Sequence, residues 1–345
     1  MKNRKYILLP IILACTLIFS HVIYFNASKG AFQNRYAATN DDGVTTFLCV
    51  GFDEVANNTD SIILVSLNDE EKSLKILQIP RDTYFNKDTT NGKINQLYSR
   101  YYQGSKNSKR ALLSLKETLE DTLSTPIDYY FALNLETLSN VVDRLGGIKI
   151  DIPYDVRYED PEQNLHIELS KGEQTLDGEK ALYFVRYRFG YTDGDLGRVD
   201  AQKIFMSAFL NKIRNETTIS DAIAVLRECI SKNETDMPFD HMLSLATKAL
   251  RDSSEYKIYY MTLPGEATRK NIDSGLSYYV INKAGAIDLI KNHFNPDIMP
   301  TDFDKDGILV DNSRLNFRNI YYAPSLEYKV YTDEDINNLN INIKD

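Results

Sequence analysis

The sequence predicts an α/β domain, with a mixed central sheet flanked by helices, held to a membrane by a single N-terminal helix. Three observations carry this expectation. Short apolar runs alternate with segments whose apolar residues recur at helical spacing. Two early runs are separated only by Asn68-Asp69-Glu70-Glu71, which predicts an antiparallel hairpin, whereas later runs are joined through helices, which predicts crossovers. A basic flank also precedes an apolar run of membrane-spanning length.

Residues 1–6 hold Lys2, Arg4 and Lys5 and form a basic tail expected in the cytoplasm. Residues 7–25 are apolar apart from Thr16, Ser20 and His21. At ~1.5 Å per residue they reach about 28 Å, against a hydrocarbon thickness of roughly 30 Å. They read as a transmembrane signal anchor; the competing reading is a signal peptide cleaved near Ile12-Leu13-Ala14-Cys15. Residues 26–43 are mostly small and polar, as suits an extracytoplasmic linker.

The body spans 44–295. Strands are predicted at Thr46 to Val50, Ser61 to Leu67 and Leu74 to Ile79. Leu112, Leu115, Leu119 and Leu123 recur at helical spacing, and Tyr129 to Leu133 reads as a strand. Asn134 can cap a helix from Leu135 to Leu145 that stops at Gly146-Gly147, before a strand from Ile148 to Ile152. Asp177 can cap a helix holding Ala181, Leu182 and Val185, and Ala201, Ile204, Phe205, Ala208 and Phe209 mark a long amphipathic one. Helices at Ala222 to Ile230 and Met242 to Leu250 lead into a strand from Tyr256 to Leu263.

The last segment, 296–345, is an acidic C-terminal extension with five basic and ten acidic residues. Its Asp302-Phe303-Asp304-Lys305-Asp306-Gly307 matches the start of a calcium loop, but the twelfth position is Ser313 rather than Glu, so a solvated acidic turn is the expectation.

Of 345 residues, 43% are hydrophobic, enough for a real core, which excludes a disordered or collagenous chain. The net charge of −9 argues against a nucleic-acid partner, because such binding neutralises many phosphates with Lys and Arg. Cys15, Cys49 and Cys229 form no metal pattern with the four histidines. Buried thiols are the expectation for the cysteines, with a Cys49–Cys229 bridge left open.

Charged residues gather where elements end. Asp53 follows one predicted strand and Asp60 precedes the next, so both can occupy one sheet edge and hold a Mg²⁺ there; turn and cap aspartates are the competing reading. Pro80 takes the chain out of the sheet and presents Arg81 and Asp82 at the rim. Arg186 and Arg188 share a direction if that stretch is extended, and Arg198 and Gln202 share a helix face. Several guanidiniums converging near a helix N-terminus suit a pyrophosphate, through planar donor forks and oriented N–H groups. For any single arginine the competing reading is a surface salt bridge.

The string Phe47-Leu48-Cys49-Val50-Gly51-Phe52-Asp53, then Asp60-Ser61, Ile79-Pro80-Arg81-Asp82-Thr83, Lys93-Ile94-Asn95 and the stretch from Arg186 to Arg198 resembles the LytR–CpsA–Psr family of bacterial envelope proteins. Val141 to Ile150 and Gly172 to Gly178 match its wording too. The resemblance implies an α/β fold with an apolar tunnel for a polyprenyl lipid. It also implies Mg²⁺-dependent transfer of a phosphorylated glycan, of teichoic acid or capsule type, from a polyprenyl-pyrophosphate carrier to peptidoglycan. A polyprenyl-phosphate-binding regulator and a pyrophosphate-lipid hydrolase are the alternatives. Carried over, Asp53 and Asp60 are the metal-associated carboxylates, and Arg81, Arg186, Arg188, Arg198 and Gln202 the pyrophosphate-binding positions, with Lys93 beside them. Asp82 and Asp195 are candidates for a modest base. The chain departs from the family in the short loop before Asp60, in Gln96 where His is frequent, and in Asp200-Ala201-Gln202-Lys203 after Arg198.

Overall fold

The computed structural model describes residues 43–53, 58–85, 92–160, 165–187, 190–192, 195–231, 233–252, 254–268, 277–307, 309, 328–339 and 341. The expected tail, membrane span and all but the last residue of the linker lie outside them, and no helix among the described residues is long and apolar enough to cross a membrane.

Strands β1 (Val44–Asp53), β2 (Asn58–Asn68) and β3 (Ser73–Ile79) form the middle of a seven-stranded sheet. Phe47, Cys49, Ile63 and Val65 belong to the core on one face, and Leu48, Val50, Ile62 and Leu64 to the core on the other. That is the period of two expected of strands. Because both faces are covered, the runs are apolar throughout rather than alternating with polar residues. The β2–β3 hairpin turns where predicted: Asn68 Oδ1 accepts from the Glu71 N–H at 2.8 Å, and Lys72 adopts φ 48°.

On one face lie α1 (Leu97–Ser105), which the apolar spacing did not announce, and α2 (Ser108–Leu123), whose four predicted leucines are buried. β4 (Tyr129–Leu133) then runs parallel to β1. Asn134 caps α3 (Leu135–Arg144), its Oδ1 accepting from the Thr137 N–H at 3.0 Å. Gly146 and Gly147, at φ 75° and 89°, end that helix in a conformation open to glycine. Two ribbons follow, β5 (Ile148–Ile152) with β8 (Gly172–Leu176), and β6 (Val156–Asp160) with β7 (Leu165–Leu169).

Asp177 caps α4 (Gly178–Arg186), accepting from the Lys180 N–H at 2.8 Å. Next come α5 (Asp195–Glu216), α6 (Ile219–Ser231), β9 (Glu234–Thr235) and α7 (Phe239–Arg251). β10 (Lys257–Thr262) runs parallel to β3. β11 (Gly265–Ala267) and β12 (Tyr279–Ile281) make a third ribbon before α8 (Lys283–His293). β13 (Val330–Tyr331) and α9 (Asp333–Asn337) close the described chain. The main sheet runs β13-β10-β3-β2-β1-β4-β9, mixed as expected.

Two expectations are revised. The long helix α5 is not amphipathic: Val199, Ala201, Phe205, Met206, Phe209, Leu210 and Ile213 are buried together with Arg198, Gln202, Lys203 and Ser207, so it is a central helix covered nearly all round. The acidic turn is not solvated at its centre. Asp304 is buried, adopts φ 50°, accepts from the Leu309 N–H at 2.9 Å, and lies 3.6 Å from Lys283 Nζ. Phe303 beside it enters the core. Cys49 and Cys229 are buried thiols with no disulfide between them.

Candidate active site

The site is built from an irregularity. β1 and β2 pair continuously from Val44 opposite Asn68 to Gly51 opposite Ser61, and then Phe52 pairs with Thr59 and Asp53 with Asn58. Asp60 is thus the extra residue of a β-bulge, a device that re-aims the side chain it carries. Asp60 is only 4% exposed, and its Oδ1 accepts from Arg81 Nη1. Arg81 is brought there because β3 lies antiparallel to β2 with Ile79 opposite Ile62, after which Pro80 ends the ladder. The turn is fixed by Thr83, whose N–H and Oγ1 donate to the Pro80 carbonyl at 3.0 and 2.6 Å.

A second strip of chain is tied to this turn. The Ile94 N–H donates to the Thr83 carbonyl at 3.0 Å, the Asn95 N–H to the Arg81 carbonyl at 3.3 Å, and Thr59 Oγ1 to the Asn95 carbonyl at 3.2 Å. Lys93 is thereby placed beside Asp82, Nζ to Oδ1 2.8 Å, and over the Tyr278 ring at 5.7 Å from its centroid. Asp82 is a candidate base by sequence; here its carboxylate is the partner of Lys93.

The third part is the start of α5. Arg198 sits in its first turn and is buried. A Cβ on Gly197 would fall 2.5 Å from Tyr191 Cβ, so glycine is what lets the helix start against that ring. Tyr191 meets Tyr154 and Tyr187 edge to face, with centroids 5.4 and 5.3 Å apart, and Tyr154 donates a hydrogen bond to its hydroxyl. Burial pushes all three phenols above their usual range, opposed at Tyr191 by the Tyr154 hydrogen bond and less by the Arg198 cation, so the three stay neutral. Gln202, one turn further on, accepts from Gln78 Nε2 and donates through Nε2 to the Val185 carbonyl at 3.4 Å.

Arg186 corrects an expectation. It does not lie in an extended stretch; it is the last residue of α4, because the buried Ala181, Phe184 and Val185 carry the helix one step further. Arg188 lies outside the described residues. Asp53 ends β1 and Asp195 opens α5, but their side chains lie outside the description as well. The structure therefore brings Asp60 to Arg81, Asp82 to Lys93, and Gln202 to β3. Sequence reasoning missed Gln78 and the tyrosine trio. The four-residue spacing of Tyr187 and Tyr191 among the arginines was the available signal for the trio.

Among the described residues no group of three His, Cys, Asp or Glu side chains could hold a metal ion. Asp53 pairs with Asn58, two residues from Asp60, at the same sheet end. Asp60, buried at this edge, carries the carboxylate oxygens that Mg²⁺ accepts beside phosphate oxygens.

The model of the LytR_cpsA_psr family matches residues 21–294. The chain belongs to the LytR–CpsA–Psr family. It is 32% identical over 190 residues to the polyisoprenyl-teichoic acid–peptidoglycan teichoic acid transferase TagV of Bacillus subtilis, covering 54% of this chain and 47%, about half, of that protein. It is 31% identical over 251 residues to the transferase of the same description, TagU, from Bacillus cereus, covering 71% of this chain and 76% of that one. The crystal structure of B. subtilis TagV superposes with a TM-score of 0.56 at 25% identity, over 73% of this chain and 96% of that chain. The mixed sheet with flanking helices is the fold of this family.

Proposed function

We propose that this chain is a membrane-anchored, extracytoplasmic phosphotransferase. It moves a phosphorylated glycan, of teichoic acid or capsule type, from a polyprenyl-pyrophosphate carrier to peptidoglycan. Family membership and the transferase names of TagV and TagU support the reaction class. The observation that carries the site is the buried Arg81–Asp60 pair on the bulge, next to Lys93–Asp82. A guanidinium holds about five N–H donors in a rigid fork, so Arg81 can be aimed by Asp60 and still meet a phosphate.

In the reaction an acceptor hydroxyl oxygen attacks the glycan-side phosphorus. The new P–O bond forms as the bond to the bridging oxygen breaks, and polyprenyl phosphate departs with that electron pair. The hydroxyl proton passes to solvent or to a nearby carboxylate. Such transfers depend on positioning and on neutralising charge rather than on a protein nucleophile. Arg81, Arg198 and Lys93 would bind and orient the diphosphate, joined by Arg186 from the end of α4 and Arg188 from the connection after it. Asp53 and Asp60 would hold Mg²⁺, which when bound neutralises diphosphate oxygens.

The test is incubation of the full chain in detergent with a polyprenyl-pyrophosphate glycan and peptidoglycan, with and without Mg²⁺. Glycan joined to peptidoglycan, with polyprenyl phosphate released, is the expected result. Glycan phosphate released only to water would make the chain a hydrolase, and no turnover would make it a binding protein. A cytoplasm-only reporter fused after Gly43 should stay dark if the anchor has the proposed topology.

A further inference from the structure

Strand β5 reads almost the same from either end: Ile148-Lys149-Ile150-Asp151-Ile152, with Pro153 after it. Among the described residues it pairs with β8 alone and without a bulge, so its other edge takes part in no ladder. A cavity of about 550 Å³ opens along that edge, with α5 and the end of α9 as its far walls. Its lining takes in every residue from Lys149 to Pro153. Alternate side chains leave opposite faces of a strand, so consecutive residues meet one cavity only along an edge. One face of β5 is fixed in the core, with Ile148, Ile150 and Ile152 at most 2% exposed. The other turns Lys149 and Asp151 to solvent.

Charge on that outer face is unbalanced. Asp151 stands directly opposite Glu173 on β8, and like charges so placed repel. Lys149 stands opposite Thr175 and reaches Glu173 diagonally at 2.8 Å. Glu173 therefore has a cation, while Asp151 faces only another carboxylate across the ribbon. A second copy supplies what Asp151 lacks. An antiparallel strand related by a two-fold axis at Ile150 sets each Lys149 opposite the partner's Asp151. The same axis sets each Ile148 opposite the partner's Ile152, which continues the apolar layer beneath. We propose that the open edge of β5 is a self-complementary interface through which two copies of this chain join, giving a four-stranded sheet β8-β5-β5-β8. No residue of the diphosphate site takes part, so the interface stands or falls apart from the transferase reading.

The full chain in detergent is followed by sedimentation velocity over a concentration series, with melting temperature as the check on folding. Wild type should show a monomer–dimer equilibrium. Lys149→Glu or Asp151→Lys alone sets like charges across the axis twice and should weaken the dimer about ten-fold. The double variant exchanges the two charges and should restore it. Register is read with cysteines in a Cys15→Ser background. Lys149→Cys mixed with Asp151→Cys should oxidise to a linked dimer, because directly opposed Cα atoms lie about 4.5–5.5 Å apart. Either variant alone should link poorly, because its two cysteines stand on a diagonal of about 7–8 Å. Reversal variants that fail to fold leave the cysteine pair to decide. A chain that stays monomeric at every concentration overturns the proposal. A monomer whose β5 amides nonetheless resist hydrogen exchange gives the edge to another segment of the same chain, and overturns it too. A dimer indifferent to both reversals, or cysteines that link as readily alone as mixed, puts the interface elsewhere and overturns it equally.

Discussion

Two arginine–carboxylate pairs, one at the end of the central sheet and one on the β6–β7 ribbon, use the same chemistry in opposite settings. Arg81 and Asp60 have side chains 13% and 3% exposed, whereas Arg157 and Glu168, 3.7 Å apart, are 75% and 59% exposed. Arg157 and Glu168 face each other by simple strand register. Arg81 and Asp60 meet only because a bulge turns one and a proline releases the other. Water solvates whichever ion of the exposed pair is left alone, so that pair contributes little. The buried pair cannot be broken without leaving a charge in a poor solvent, so its geometry is enforced. The contrast teaches that a site arginine is distinguished by how its partner is held rather than by having one.

The sharpest way to break this contrast is Asp60→Ala. It should cost about 3–5 kcal/mol of stability, read as a large fall in denaturant midpoint, and should abolish transfer. Next come Arg81→Lys and Arg198→Lys, which keep the charge and lose the fork. Each should cost roughly ten-fold in transfer, or about 1.4 kcal/mol, with the double losing less than the product of the singles. Near wild-type rates with unchanged melting in both would remove these arginines from the site. Away from it, Asn134→Ala should cost about 1 kcal/mol of stability with activity per folded molecule unchanged, as for a lost helix cap.

A smaller effect is pH-dependent. Burial, aided by Lys75, holds the partly buried His293 imidazole below its usual 6.5. The unfolded chain therefore takes up the proton first, so the stability tied to neutral His293 is complete above pH 6.5 and lost as pH falls below it. His293→Gln should flatten that acidic limb of a melting curve measured against pH. The smallest effect belongs to the exposed pair: Arg157→Ala should leave both melting and transfer at wild-type values.

Much of this was legible in the residues. The hairpin turn, the caps at Asn134 and Asp177, the strand Tyr129–Leu133 and the stop at Gly146 follow from local chemistry. Arg81 was placed at the rim because proline cannot continue a ladder. What escaped depends on partners far along the chain. Nothing near Asp60 announces that it is the extra residue of a bulge, because register is a property of two strands. Gln78 reads as an ordinary interior residue until Gln202, far along the sequence, arrives opposite it. Arg186 falls in a helix rather than in an extended stretch because burial of Phe184 and Val185, and no breaker, sets the helix end.

The short strand β13 gives the sheet a temporal vulnerability. It covers the outer edge of β10 through Tyr331 opposite Tyr260, and Asp333 just beyond it accepts from the Tyr260 hydroxyl at 2.8 Å and from Ser207 at 3.2 Å. The family match ends at residue 294, before this closure. β10 precedes its cover by about 70 residues, so a chain that folds from its N-terminus holds an open edge until β13 arrives. An unpaired edge is a template for joining another chain. Premature termination after α8 should therefore yield a nearly complete but sticky sheet.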